Sequence, residues 1–285
     1  MDARLQRRVQ RYGWDRASDS YERHWAAQLR PAQELLLEMA ALAPEERVLD
    51  VACGTGLVTL PAARAVGPAG RVVATDLSAR MVEIVADRAV AEGLGQVAAV
   101  RRDAEALGFD EGAFDVVLCA LGLMYVPDPV AALREFRRLL RPGGRALALV
   151  WGERSRCGWA EIFPIVDARV ESEVCPLFFQ LGAGDALATA FELAGLEETE
   201  SRRLSSVLEY EDDEDALGAA FAGGPVAMAY SRFDDGTREA AHGEYLASIA
   251  PYRRAGGYSV PGEFVVTRGV RRRRALGPAM PDRTG

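Results

Sequence analysis

Between residues 47 and 151 the chain alternates two textures. Runs of Val, Leu and Ala at 47–52, 71–75, 97–101, 114–120 and 145–151 are apolar at most positions, which predicts strands buried on both faces. The stretches between them, 57–66, 79–92 and 129–140, repeat their apolar residues at helical spacing. Such alternation predicts a parallel sheet covered by helices, an open doubly wound α/β domain. Pro142-Gly143-Gly144 closes the third helix and turns the chain into the next strand.

Outside this block the pattern weakens. Residues 1–45 are polar and helical, with Leu29, Leu35, Leu36, Leu37 and Met39 as apolar positions. Residues 159–172 and 185–194 predict helices, 200–210 a strand, 212–257 further helix, and 263–268 a last strand. The acidic run Glu211-Asp212-Asp213-Glu214-Asp215 reads as a solvated helix start, where carboxylates suit the positive end of the helix dipole.

Composition narrows the classes. A chain of 285 residues, 49% hydrophobic and 27% charged, is globular with a sizeable core. No apolar run approaches the ~18–20 residues of a membrane span. A net charge of −8 disfavours nucleic acid and anionic membranes as partners. All 34 Lys and Arg positions are arginine, so lysine-based Schiff-base or P-loop chemistry is out. No apolar segment marking a secretory signal follows Met1-Asp2-Ala3-Arg4, and Cys53, Cys119, Cys157 and Cys175 lack the spacing of a zinc site. They read as reduced thiols of a cytoplasmic protein, and no Asp/Glu/His set predicts a metal.

The candidate chemistry starts at Val48-Leu49-Asp50-Val51-Ala52-Cys53-Gly54-Thr55-Gly56, a strand leading through a glycine turn into a helix. The glycines let the backbone approach a ligand, and the helix N-terminus offers free N–H groups. Asp76, at the end of the second strand, is placed to accept both hydroxyls of a ribose. The pair points to a nucleoside cofactor. Thr59 stands where a dinucleotide fingerprint has its third glycine, and Asp50 in the turn would repel a pyrophosphate while suiting a cation. S-adenosylmethionine, a sulfonium with a zwitterionic end, matches that acidic edge. Asp103-Ala104 supplies an acceptor for an adenine amine, and Met81 a polarisable apolar surface for the ring.

At this point the sequence resembles the class I S-adenosylmethionine-dependent methyltransferases, specifically the UbiE/menaquinone-methyltransferase-like group. The resemblance spans residues 48–151. It rests on 48–56, Ala74-Thr75-Asp76-Leu77-Ser78-x-x-Met81, Arg102-Asp103-Ala104-Glu105, Phe114-Asp115-Val116-Val117, and Asp128-Pro129 through Leu133-Arg134-Glu135 to Leu140-Arg141-Pro142-Gly143-Gly144. It implies a Rossmann-like seven-stranded sheet, with 200–210 and 263–268 as an antiparallel edge. It also implies methyl transfer that leaves S-adenosylhomocysteine. Gly54 and Gly56 would meet the methionine moiety, Asp76 the ribose, Met81 and Ala104 the adenine, and Asp103 its amine. Asp50, Ala52, Leu77 and Cys119 complete the expected cofactor set. Ala52 departs from the pattern, standing where many members have glycine.

The organisation expected is an N-terminal helical lid (1–45), a cofactor-binding core (46–211), a helical substrate-covering insertion (212–258), the last core strand (259–270) and a disordered tail (271–285) that opens with a solvated arginine cluster. A sulfonium methyl is already activated, so the protein must align a nucleophile for in-line SN2 displacement and exclude water. His24, in Tyr21-Glu22-Arg23-His24-Trp25, and Tyr125, after the fourth strand, are the catalytic candidates. Tyr21, Trp25, Tyr125, Trp159, Phe163, Tyr230 and His242 are the expected substrate wall, and insertion aromatics such as Phe221 and Phe233 its roof. The acceptor expected is a small aromatic, quinone-like or other secondary metabolite. The atom methylated and the oligomeric state, a homodimer included, stay open. A non-methylating or accessory protein of this fold would show an eroded glycine turn or Asp76. A nucleic-acid or protein methyltransferase would show a basic face, or an Asn/Asp-Pro-Pro-Tyr tetrad where Cys119-Ala120-Leu121-Gly122 stands.

Overall fold

The computed structural model describes residues 3–170 and 178–272. A long helix, α1 (Ala3–Ala40), leads into β1 (Arg47–Val51), α2 (Thr59–Val66), β2 (Arg71–Asp76), α3 (Ala79–Ala91), β3 (Val97–Arg101), β4 (Phe114–Ala120), α4 (Pro129–Leu139) and β5 (Leu140–Trp151). Then follow α5 (Ile162–Asp167), α6 (Ala186–Leu193), β6 (Glu197–Tyr210), α7 (Asp213–Leu217), α8 (Ala227–Tyr230), α9 (Asp235–Ile249), β7 (Arg253–Arg254) and β8 (Gly257–Val270).

The sheet runs in the order β3-β2-β1-β4-β5-β8-β6, with β7 paired to β8 alone. The first five strands are parallel; β8 is antiparallel to both β5 and β6, which bears out the expected fold class and its antiparallel edge. β1 and β4 are hydrogen-bonded neighbours although β2 and β3 lie between them in sequence. The chain therefore leaves their carboxyl ends in opposite directions and opens a crevice at that switch point. Both strands bury nearly every side chain, as central strands covered by helices must. Side chains start the helices that follow: Ser78 accepts the Met81 N–H at the head of α3, and Asp128 that of Ala131 at α4, where Pro129 takes the first position. α1 crosses over this sheet, touching α3, α8, β5, β6 and β8. Pro31 removes one hydrogen bond from α1 without ending it. Among the described residues no helix is long and apolar enough to cross a membrane.

Several boundaries differ from those read in the sequence. β5 begins at Leu140, because Leu140 pairs with Phe114 before the register shifts and Arg145 pairs with Val116. The intervening Pro-Gly-Gly segment bulges out, and its Gly143 N–H and Gly144 C=O bond to Arg271 across the end of β8. Arg271 is thus fixed and not a solvated tail residue: it also pairs with Glu111 and donates to the carbonyls of Arg138 and Leu140. Residues 273–285, the rest of the expected tail, lie outside the described residues. β8 starts at Gly257, six residues earlier than its apolar alternation indicates. Its first half pairs with β6 and extends beyond β5, so Pro261 needs no donor on that side. In the 159–172 stretch only Ile162–Asp167 is α-helical, and 171–172 fall outside the described residues. The 212–257 stretch is broken into α7, a π turn, α8, α9 and the two-residue β7, which adds an eighth strand to the seven expected.

Candidate functional site

Ala52, Gly54 and Gly56, just past β1, all adopt the left-handed backbone, with φ of 55°, 53° and 93°. A side chain at Gly56 would come within 2.6 Å of Val85 in α3. Alanine in this region costs roughly 1–2 kcal/mol, which explains why glycine suits position 52. The Ala52 methyl leaves no room for a side chain at Gly122 beyond β4.

Two carboxylates frame the turn. Asp50 is fully buried; its Oδ2 accepts the Thr59 hydroxyl at 2.6 Å, while Oδ1 has no partner. Burial pushes the Asp50 carboxyl up to about 7; the Thr59 bond opposes this and the Asp76 charge adds to it. Thr55 Oγ1 is also buried without a partner. Both atoms belong to residues lining a narrow recess with Tyr21, Gln33 and Gly54. Asp76 accepts the N–H groups of Gly54 at 3.0 Å and Ser78 at 2.8 Å, tying the glycine turn to the start of α3. Burial raises its pKa despite these bonds. An orphaned carboxylate oxygen beside a second buried carboxylate favours a cationic, N–H-bearing ligand group.

The main crevice, about 790 Å³ counting its open mouth, is lined by Ala52, Gly54, Asp76, Leu77, Met81, Asp103, Ala104 and Tyr125, all expected from sequence. Gly56 and Cys119 lie behind it: Gly56 packs on Val85, and the fully buried Cys119 sits under Gly122. α1 forms the roof with residues that sequence reasoning missed, Arg7, Gln10 and Trp14. Arg7 pairs with Asp103 at 2.9 Å and with Glu105, Asp15 accepts the Ser78 hydroxyl, and Glu22 pairs with Arg88. The signal was present in the spacing 7, 10, 14, 21, 25, one helix face. Its members are mostly polar or aromatic, so it did not read as an apolar stripe.

A second, smaller chamber, about 350 Å³ counting its open mouth and narrow inside, adjoins the crevice, sharing Trp14, Tyr21, Leu121 and Tyr125 with it. Trp25 and Trp159 line this chamber, whereas Phe163 stands behind it against Trp159 and Phe178. Tyr21 lines crevice, recess and chamber alike. Burial, then the Asp76 charge, raise its phenol pKa, which keeps the hydroxyl protonated. His24 lines neither the crevice nor the chamber. It lies about 100° round the helix from Trp25 and faces Asp215 at 3.4 Å and Gly218. His242 and Tyr230 are also apart from the site. They bond to each other at 2.9 Å and pack with Phe221, while Phe233 packs on Tyr230. These insertion aromatics bury one another, and Gly223, Gly224 and Pro225 border the chamber in their place.

Residues 48–144 match the methyltransferase domain family model. The chain is 44% identical over 114 residues to the ubiquinone/menaquinone biosynthesis C-methyltransferase UbiE of Ectopseudomonas mendocina, covering 40% of this chain and 44% of that protein. It is 38% identical over 132 residues to nocamycin O-methyltransferase of Saccharothrix syringae, covering 46% and 47%. The matches thus span just under half the length of these relatives. In fold the chain is similar to Haemonchus contortus phosphoethanolamine N-methyltransferase 2, solved in complex with S-adenosyl-L-methionine, with a TM-score of 0.60 at 15% identity over 91% of this chain and 57% of that one.

Proposed function

We propose, from the membership of residues 48–144 in the class I S-adenosylmethionine-dependent methyltransferases, that this protein methylates a small molecule seated in the chamber beside the crevice. The observation that carries the reading is the orphaned Asp50 Oδ1 at the recess under the glycine turn. It fits the ammonium of a methionine moiety, whereas a pyrophosphate there would face both Asp50 and Asp76. Asp76 retains lone pairs for a ribose diol beyond the two backbone donors it already serves. Leu77, Met81 and Ala104 offer an apolar slot for adenine. Asp103 accepts its amine while held by Arg7.

When bound, S-adenosylmethionine would supply an activated methyl group for in-line transfer to an acceptor lone pair, with the C–S electron pair retained by sulfur. The chain contributes alignment and dryness. α1 roofs the crevice through Arg7, Asp15 and Glu22, which limits the access of water to the reacting centre. Tyr21, protonated at the junction of crevice, recess and chamber, orients the reactants as a donor and is no general base. Tyr125 divides crevice from chamber, edge-on to Trp14 at 5.3 Å and Phe178 at 5.5 Å. The names of the two relatives, a ubiquinone/menaquinone biosynthesis C-methyltransferase and nocamycin O-methyltransferase, support a small acceptor.

Two measurements test this. Calorimetry should show S-adenosylhomocysteine binding and no competition from NADH; the reverse preference ends the assignment. Labelled methyl groups from S-adenosylmethionine should then appear in members of a panel of planar phenols, enols and quinols. Tight cofactor binding with no labelled product from any of them would favour an accessory protein.

A further inference from the structure

The chain has four tryptophans, and all of them, Trp14, Trp25, Trp151 and Trp159, line the chamber beside the crevice. Trp25, Trp151 and Trp159 meet edge-on in a triangle with centroid separations of 6.0, 6.1 and 4.7 Å. Phe178 leans on Trp159 at 5.6 Å and continues the wall. Gly223, Gly224 and Pro225 complete the lining, so the insertion contributes nothing larger than a proline ring to it.

An indole N–H donates and cannot accept. That of Trp14 is satisfied by Gln10 Oε1 at 3.1 Å. Those of Trp25 and Trp159 have no acceptor, although the residues are only 6% and 4% exposed. Buried tryptophans normally find a partner for this group, so two unmet donors on residues that line one chamber are the groups a ligand's lone pairs would satisfy once its entry parts the walls. The Trp25 N–H edge faces the glycine wall: Nε1 lies 3.1 Å from where a Gly223 Cβ would stand. Among the described residues lining the chamber there is no carboxylate to receive a cation.

Resting on the methyltransferase reading above, we propose that Trp25 and Trp159 select the methyl acceptor: an uncharged, planar ring system whose carbonyl or hydroxyl oxygens receive the two indole N–H groups. Flat rings satisfy the tryptophan walls, oxygen lone pairs satisfy the donors, and an ammonium-bearing acceptor is disfavoured because it would set donor against donor. The same donors stabilise negative charge on a bound enol or phenol oxygen. That fits a chamber from which both histidines are absent.

The test uses the full chain saturated with S-adenosylhomocysteine and three probes of similar shape: coumarin, naphthalene and 2-naphthylmethylamine. Binding is read by calorimetry, with ligand-observed NMR for the sparingly soluble hydrocarbon. Coumarin is expected to bind best, the amine not to compete, and Trp25→Phe and Trp159→Phe each to weaken coumarin roughly three- to tenfold, the worth of one net hydrogen bond. Naphthalene should be indifferent to both substitutions, and S-adenosylhomocysteine affinity should not move. Gly223→Ala, which keeps every tryptophan but crowds the Trp25 donor, should weaken coumarin as well. Equal affinity for coumarin and naphthalene, or coumarin binding unchanged in both Phe variants, overturns the proposal. A wild-type chain that binds S-adenosylhomocysteine but none of the probes overturns it too. A chain that does not bind S-adenosylhomocysteine overturns the methyltransferase reading itself.

Discussion

Asp76→Ala probes the cofactor assignment most directly, and its size can be worked from the structure. The carboxylate is buried and already accepts two backbone N–H groups, from Gly54 at 3.0 Å and Ser78 at 2.8 Å. A hydrogen bond to a charged group contributes roughly 1.5–3 kcal/mol, so two ribose hydroxyls would be worth ~3–6 kcal/mol to unshared oxygens. These oxygens are shared, which puts the expectation at the lower end, about 3 kcal/mol or roughly a hundredfold in affinity. The assay is calorimetry with S-adenosylhomocysteine and with its 2′,3′-dideoxy analogue, on wild type and variant. The wild type should prefer the diol by about that factor, and the variant should scarcely distinguish the two ligands, because both changes remove one interaction. Loss of the Gly54 and Ser78 acceptor should also lower stability by roughly 1–3 kcal/mol, so denaturant curves must show a folded variant. Should the folded variant bind S-adenosylhomocysteine within twofold of wild type, Asp76 is no ribose ligand.

Further expectations follow from the same geometry. The Asp50 carboxyl is held up to about 7, above its ordinary 3.8, so the folded chain retains a proton that the unfolded chain gives up. Stability without ligand should therefore fall from about pH 4 to about pH 7 and then level off, and S-adenosylhomocysteine affinity should rise over pH 6–8 as Asp50 ionises. Asp50→Asn should flatten both profiles, and a slope that survives it in titrations and denaturant curves would acquit Asp50. Gly122→Ala should cost ~1–3 kcal/mol in urea unfolding, because the added methyl overlaps Ala52 and comes 3.1 Å from Cys119 Sγ. Ala52→Gly in the same chain should restore part of that loss, and strict additivity would show that the two do not touch. Arg7→Ala removes two partly exposed ion pairs, to Asp103 and Glu105, each worth at most ~1 kcal/mol. It should leave the unfolding midpoint nearly unchanged while speeding amide exchange in the first turns of α1 and S-adenosylhomocysteine release. Unaltered exchange there would mean that Arg7 does not fasten the roof.

The sequence alone determined the parts of this protein that depend on nearest neighbours along the chain. Runs such as 114–120 must be central strands because they are apolar at all but one position, and the turn after β1 must be tight because Gly54 and Gly56 follow the strand within five residues. Asp50 and Asp76 were legible for the same reason: each sits at or beside a strand end whose direction is set locally. Only the tertiary structure decided where the remote pieces meet. His24 and Trp25 are adjacent in sequence, yet helical phase sends one to Asp215 and the other into the chamber. Pro261 could lie within β8 only because that stretch runs past the end of β5. The chamber itself joins tryptophans from α1, the end of β5 and the loop beyond it to a glycine wall from the insertion. No pattern in any one segment announces that meeting, because side-chain contact across segments is fixed by packing and not by spacing.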